Sequence, residues 1–390
     1  MTKKMLLSGL ALMSTVTLAA CSAAPTSNAS AEKGTEVGKT VKVGLNLELT
    51  GGVSAYGSAE EKGAKLAVEE INKKGGVSGK KLEVVSKDNK SDNSEAATVT
   101  TSLATESNVN VIVGPATSGA TAAASPNASK AAVPLITPSG TQDNLTLTSD
   151  GKTNPYVYRT TFIDSYQGDV LAKYATDHLK AKKVFLFYDN SSDYAKGIAK
   201  RFKKVYKDTI VSEATFQSGD TDFQSALTKM KSKEYDAIIM PGYYQETGTI
   251  IKQAREMGIT APIVGPDGFA DSKLVELAGS SNVNNVYYIS GFSASSSDKA
   301  KQFSQAYKAK YGAEPSMFAA LAYDSVYMAA DAAKDAKTSV DLSKNLSKLK
   351  DFEGVTGTMT IDKKHNPVKS VSVVGLTEGK ESSATTVKAD

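Results

Sequence analysis

Three segments of this chain each follow a short apolar run, and together they hold hydroxyls, glycines and one carboxylate. Val111-Ile112-Val113 leads into Gly114-Pro115-Ala116-Thr117-Ser118-Gly119, and Val133-Pro134-Leu135-Ile136 leads into Thr137-Pro138-Ser139-Gly140-Thr141. Pro262-Ile263-Val264 leads into Gly265-Pro266-Asp267-Gly268. The first segment opens a helical run through Ala131, where unpaired N–H groups and the helix dipole favour an anion and the Ser118 hydroxyl adds a donor. In the second, Thr141 can donate to an anion while the Ser139 carbonyl accepts from an ammonium. In the third, Asp267 suits a cationic amine through charge-assisted hydrogen bonds. Tyr56, Tyr194 and Tyr243 also fall just beyond strand ends, each with a flat apolar face and a polar tip. Singly, these features read equally as an N-cap, ordinary turns and packing tyrosines. Jointly they fit an α-amino acid zwitterion, with donors at its carboxylate, Asp267 at its ammonium and aromatic rings over its side chain.

The elements that must position these residues alternate between strand-like and helix-like patterns. Val41–Leu47, Leu82–Val85, Val109–Gly114 and Val133–Ile136 read as strands, with helices over Tyr56–Asn72 and Ser94–Glu106 between them. The pattern then restarts, with strands at Val184–Tyr188, Ala237–Met240, Pro262–Val264 and Val286–Ser290. Thr356–Ile361 and Ser370–Leu376 are predicted to pair as a hairpin about Asp362–Asn366. Short apolar strands separated by helices predict an α/β fold of two doubly wound parallel-sheet lobes. Such sheets bind ligands beyond the carboxyl ends of their strands, where the three segments fall.

Enzyme signatures are missing from the sequence. With two histidines, His178 in a helix and His365 in a turn, a metal centre or a Ser-His-Asp triad lacks material, and neither a Gly-x-Ser-x-Gly elbow nor a His-Glu-x-x-His motif occurs. No cofactor is expected. The net charge of +4 is spread over interspersed lysines and acids, with no basic block to suit nucleic acid. Lys3 and Lys4 precede an apolar run from Met5 to Ala20 that is short for a transmembrane span. The single cysteine, Cys21, follows Leu18-Ala19-Ala20 and resembles the lipobox of bacterial lipoproteins. The expectation is a signal peptide over 1–20, a lipidated Cys21 as the first mature residue, and a flexible tether over 21–40. The mature protein would then be extracytoplasmic, held to the cell membrane by its lipid.

With these residues in place, the chain resembles the lipoprotein branched-chain amino acid-binding proteins of bacterial ABC importers, in the type I periplasmic-binding-protein fold. The resemblance runs from about Val41 to the C-terminal hairpin. It rests on Tyr56-Gly57, Gly75-Gly76-Val77-x-Gly79-Lys80, Gly114-Pro115 with Ser118, and Ile136-Thr137-Pro138. It rests further on Asp189 with Tyr194, Gly242-Tyr243, Gly265-Pro266-Asp267-Gly268 and Phe318-Ala319-Ala320-Leu321-Ala322-Tyr323-Asp324. The resemblance implies that Ser118 and Thr141 bind a ligand carboxylate, and that the Ser139 carbonyl and Asp267 accept from an ammonium. Tyr56, Ala116, Thr117, Tyr194, Tyr243 and Phe318 would line the side-chain pocket. It implies a three-crossover hinge, with lobe one at 41–163 and 292–372 and lobe two at 164–291 and 373–390. It also implies permease subunits as partners and a monomeric protein. Asp267, which is Glu in some members, reaches one methylene less far, and Ala116 and Thr117 leave a pocket wall that is partly polar. These two features leave the choice of side chain open within neutral amino acids; the resemblance implies a branched-chain aliphatic one. An amide, urea-like or other small polar solute, or a ligand-sensing role, is the alternative.

Overall fold

The computed structural model describes residues 33–387. The expected leader and Cys21 lie outside the described residues. In the first lobe, β1 (Thr40–Leu47), α1 (Ser54–Lys73), β2 (Lys81–Asp88), α2 (Asn93–Thr105), β3 (Val111–Val113), α3 (Ser118–Lys130), β4 (Leu135–Thr137) and β5 (Val157–Arg159) follow one another. Their strands form a parallel sheet in the order β2-β1-β3-β4-β5. The three residues each of β3, β4 and β5 are wholly buried, as strands covered by helices on both faces must be.

The second lobe repeats this plan. α4 (Asp164–Asp177), β6 (Lys183–Asp189), α5 (Asp193–Val205), β7 (Thr209–Phe216), α6 (Gln224–Lys231), β8 (Ala237–Ile239), α7 (Tyr244–Glu256), β9 (Ile263–Gly265), α8 (Ser272–Ala278) and β10 (Val286–Ser290) build it. The parallel order β7-β6-β8-β9-β10 matches that of lobe one strand for strand. The chain then returns to lobe one through α9 (Asp298–Tyr311), α10 (Met317–Ala332) and α11 (Ser339–Leu346), followed by a short ribbon of β11 (Phe352–Gly354) and β12 (Gly357–Met359). β13 (Val371–Thr377) and β14 (Lys380–Val387) extend the second sheet in antiparallel fashion beside β10. The chain thus crosses between lobes three times: after β5, after β10 and before β13.

Three sequence expectations need correction. The predicted hairpin of Thr356–Ile361 with Ser370–Leu376 does not form. Asp324 accepts from the Val355 and Thr356 amides and the Thr356 hydroxyl, so the chain turns back at 355–356 and β12 pairs with β11. β13 takes β10 and β14 as partners, and all of it lies in the second sheet, so the third crossing precedes Val371 rather than falling at 372/373. The end of the expected tether is fastened to lobe one. Thr35 donates its amide to Ser339 Oγ and its hydroxyl to the Val109 carbonyl, and the Val37 amide donates to the Lys337 carbonyl.

Lobe one closes its outer face by packing α1 against α10. The contact is close because Gly63 of α1 has no side chain: a Cβ there would run into the Ala319 carbonyl of α10. Gly63→Ala improves helix propensity yet is expected to lower unfolding free energy by about 1–3 kcal/mol through overpacking. Urea unfolding checks this, and an unchanged midpoint would mean that α1 and α10 part without cost.

Candidate functional site

In each lobe the strand order reverses at the first strand, which leaves a crevice beyond its carboxyl end. The two crevices face each other across one narrow cavity. Its walls are Tyr56, Ala116, Thr117, Ser118, Ser139, Thr141, Tyr194, Tyr243, Asp267, Gly268 and Phe318. All ten binding residues expected from sequence line this one space, including Phe318, which no strand-end argument reaches because it sits in α10.

One end of the cavity presents donors. Ser118 is the first residue of α3, whose N-cap Thr117 accepts from the Ala120 amide. Ser118 Oγ accepts from the Thr141 amide at 3.2 Å and the Gln142 amide at 3.1 Å. A hydroxyl that accepts twice has only its own proton left to offer, so Ser118 faces the cavity as a donor. Arg159 stiffens the same loop by donating to the Gly140 and Gln142 carbonyls at 3.0 and 2.8 Å. Burial lowers the Arg159 guanidinium to about 10, still charged at neutral pH.

The α3 N-terminus is less open than the sequence suggests. The Ala116 and Thr117 amides both donate to the Glu48 carboxylate at 3.0 Å, joined by the Thr117 hydroxyl at 2.9 Å. An internal anion therefore takes two of the donors expected to serve a ligand, and the Ser118 group remains. Burial pushes the Glu48 carboxyl up, opposed by these three bonds.

The other end presents a carboxylate. Asp267 opens a short 3-10 turn after β9 and is 3 % exposed. Tyr194 donates to its Oδ1 at 2.6 Å and itself accepts from the Gly268 amide at 2.9 Å, while the Asp267 amide donates to Gln167. Burial raises the Asp267 carboxyl to about 6, the Tyr194 bond opposing it. Among the described residues no Lys, Arg or His forms an ion pair with it. Beside it lies Asp164, also buried, with neither oxygen in a well-aligned hydrogen bond although Thr141 Oγ1 is adjacent. Burial holds Asp164 far above the usual carboxylate range, reinforced by the charges of Asp267 and Asp143.

The side walls are aromatic. Tyr56 stacks on Phe318 at 4.1 Å and meets Tyr243 and Tyr244 edge-on, while Tyr194 and Tyr243 lie parallel at 4.9 Å. Tyr56 also clasps the lobes together: its hydroxyl donates to the Gly268 carbonyl at 2.5 Å and accepts from the Tyr244 amide at 3.3 Å.

The sequence reading missed Glu48, Glu60, Asp164 and Gln167. Glu48 directly follows β1, so the strand-end rule applied to that strand would have found it. Glu60 on α1 and Gln167 on α4 carried no signal beyond being polar on helix faces that the fold buries.

Two similar lobes around one enclosed, oppositely polarised cavity define a solute-binding protein rather than a surface-acting one. The chain belongs to the periplasmic binding protein family, which matches residues 40–381. It is similar to the leucine-, isoleucine-, valine-, threonine- and alanine-binding protein of Pseudomonas aeruginosa, 30% identical over 330 residues, 83% of this chain and 86% of that one. Among solved structures it is similar to the branched-chain amino acid transporter substrate-binding protein LivJ of Streptococcus pneumoniae in complex with isoleucine, with 56% identity and a TM-score of 0.87. The match covers 89% of this chain and 99% of that one. It is also similar to the leucine-binding protein LivK of Thermotoga maritima, at 31% identity, a TM-score of 0.82 and the same two coverages.

Proposed function

We propose that this protein captures a branched-chain amino acid, isoleucine foremost, outside the cytoplasm and delivers it to an ABC importer. The observation that carries the reading is the polarity of the single cavity: hydroxyl donors from lobe one at one end and an unpaired carboxylate from lobe two at the other. Ser118 donates to the ligand carboxylate. Asp267 and the Ser139 carbonyl accept from its ammonium. Tyr56, Tyr194, Tyr243, Phe318, Ala116 and Thr117 enclose the aliphatic side chain, and Thr141 completes the donor loop. The likeness to a protein solved with isoleucine supports this choice of ligand. A ligand touching both lobes stabilises the closed arrangement, and the permease recognises that shape. The protein is a binding subunit without catalytic activity, anchored by a lipid on Cys21 and acting as a monomer.

Titration calorimetry of protein lacking residues 1–20 against the twenty amino acids tests the reading. Isoleucine, leucine and valine are expected to bind in the micromolar range or tighter, equivalent to about −8 kcal/mol or more. Charged amino acids are expected to give no heat. Silence across the aliphatic set would refute the proposal, and binding of an amide or urea-like solute instead would favour the uncharged alternative.

A further inference from the structure

Glu60 of α1 is 0 % exposed and reaches the underside of the Ser139 turn. Its Oε1 lies 2.6 Å from Ser139 Oγ, and its Oε2 has no hydrogen-bond partner. Ser139 Oγ in turn lies 2.8 Å from the Ala116 carbonyl. These two contacts join three oxygens, and each needs a proton between its atoms. The Ser139 hydroxyl supplies one proton and the Ala116 carbonyl none. An ionised Glu60 would take the Ser139 proton and leave two lone pairs facing each other at 2.8 Å. A protonated Glu60 satisfies both contacts: the acid donates to Ser139 Oγ, and Ser139 donates to the Ala116 carbonyl.

The surroundings agree with this proton count. The titratable neighbour acting on Glu60 is Glu48, an anion already committed to the Ala116 and Thr117 donors. No lysine or arginine pairs with Glu60 among the described residues. Burial, with the Glu48 charge adding to it, holds the Glu60 carboxyl far above the usual range, and a Ser139 hydroxyl donating to the ionised carboxylate would oppose this only in part.

We propose that Glu60 is a neutral carboxylic acid at physiological pH and a positioning residue for the binding site. By the relay Glu60 to Ser139 to Ala116 it ties the turn after β4 to the turn after β3. That link sets the direction of the Ser139 carbonyl, and the inference rests on that carbonyl receiving the ligand ammonium. Glu60 itself does not line the cavity.

The test has two arms. In the first, infrared spectra in heavy water compare ligand-free wild type with Glu60→Gln at neutral pH. A protonated-carboxyl carbonyl band in the wild-type-minus-variant difference spectrum is expected, the buried Asp164 contributing equally to both proteins, and a difference spectrum without that band overturns the proposal whatever the ligand proves to be. In the second, isoleucine affinity is measured. Glu60→Gln, whose amide N–H can still donate to Ser139, is expected to stay within about threefold of wild type, whereas Glu60→Leu is expected to lose about tenfold or more. Equal losses in both variants would show that the carboxylate charge matters and would overturn the relay. If Glu60→Leu fails to fold by circular dichroism, the infrared band and the Gln variant decide. Should wild type itself not bind isoleucine, the proposed function fails while the infrared arm still judges Glu60.

Discussion

Asp267→Ala is expected to weaken isoleucine binding by about 2–5 kcal/mol, at least about thirtyfold, because it removes the charged partner of a buried ammonium. Asp267 is buried, receives a tyrosine hydroxyl and has no cationic partner among the described residues, so the unliganded protein holds a carboxylate short of a counter-ion. Burial accordingly raises it to about 6. The sign of the pH effect follows. A buried acid with a raised value stabilises the free fold below its ordinary range, and that contribution is lost as pH rises through about 6. Ligand affinity runs the opposite way, because the ammonium selects the ionised form. Binding is expected to be full above about pH 6 and to decline as pH falls through it. Asp267→Asn separates the two effects: it keeps the shape, loses most of the affinity, and removes this step from the pH profile. Calorimetry at pH 5, 6 and 7.5 on both proteins checks it. An Asn variant binding as tightly as wild type would show that the ligand's ammonium lies elsewhere.

The cavity was largely legible in the sequence because doubly wound sheets put their ligand-facing residues directly after short apolar strands. Thr117–Ser118, Ser139–Thr141, Tyr243 and Asp267 are all read in this way. Phe318 follows no strand and came only from family resemblance. The edge strands β7 and β14 were missed for a physical reason. Each has one open side and many exposed positions, so Thr209–Phe216 and Lys380–Val387 carry polar residues where a buried strand carries an apolar run. β12 was misassigned because alternation alone cannot reveal that Asp324, 31 and 32 residues earlier, gathers the Val355 and Thr356 amides. The acids beneath the site were hidden for a related reason. A carboxylate on a helix face reads as solvated until the fold shows what covers it, and Glu60 and Asp164 are covered completely. Sequence periodicity thus locates the surfaces that meet a ligand better than the buried polar layer that holds them in place.

Tyr56 combines two tasks that a pair of substitutions can pull apart. Its ring forms a side-chain wall, stacked on Phe318 and edge-on to Tyr243 and Tyr244, and its hydroxyl bridges the lobes through the Gly268 carbonyl and the Tyr244 amide. A third bond across the same seam runs from the Ala55 amide to the Tyr244 hydroxyl at 3.1 Å and does not depend on Tyr56. Tyr56→Phe keeps the wall and removes the clasp. At about 0.5–1.5 kcal/mol for each of two hydrogen bonds, it is expected to weaken isoleucine binding by roughly five- to a hundredfold, through faster dissociation. Tyr56→Ala removes the wall as well, and truncating a buried aromatic costs about 3–5 kcal/mol, so a loss beyond a hundredfold is expected. Because the clasp forms only where lobes meet, Tyr56→Phe should leave the unfolding midpoint of the free protein nearly unchanged if the free protein is open, and lower it if the lobes rest closed. Stopped-flow dissociation rates and urea unfolding of both variants, with and without isoleucine, measure these quantities. A Tyr56→Phe variant that releases ligand at the wild-type rate would show that aromatic packing alone holds the lobes over the solute, and that the hydroxyl bridge follows closure without stabilising it.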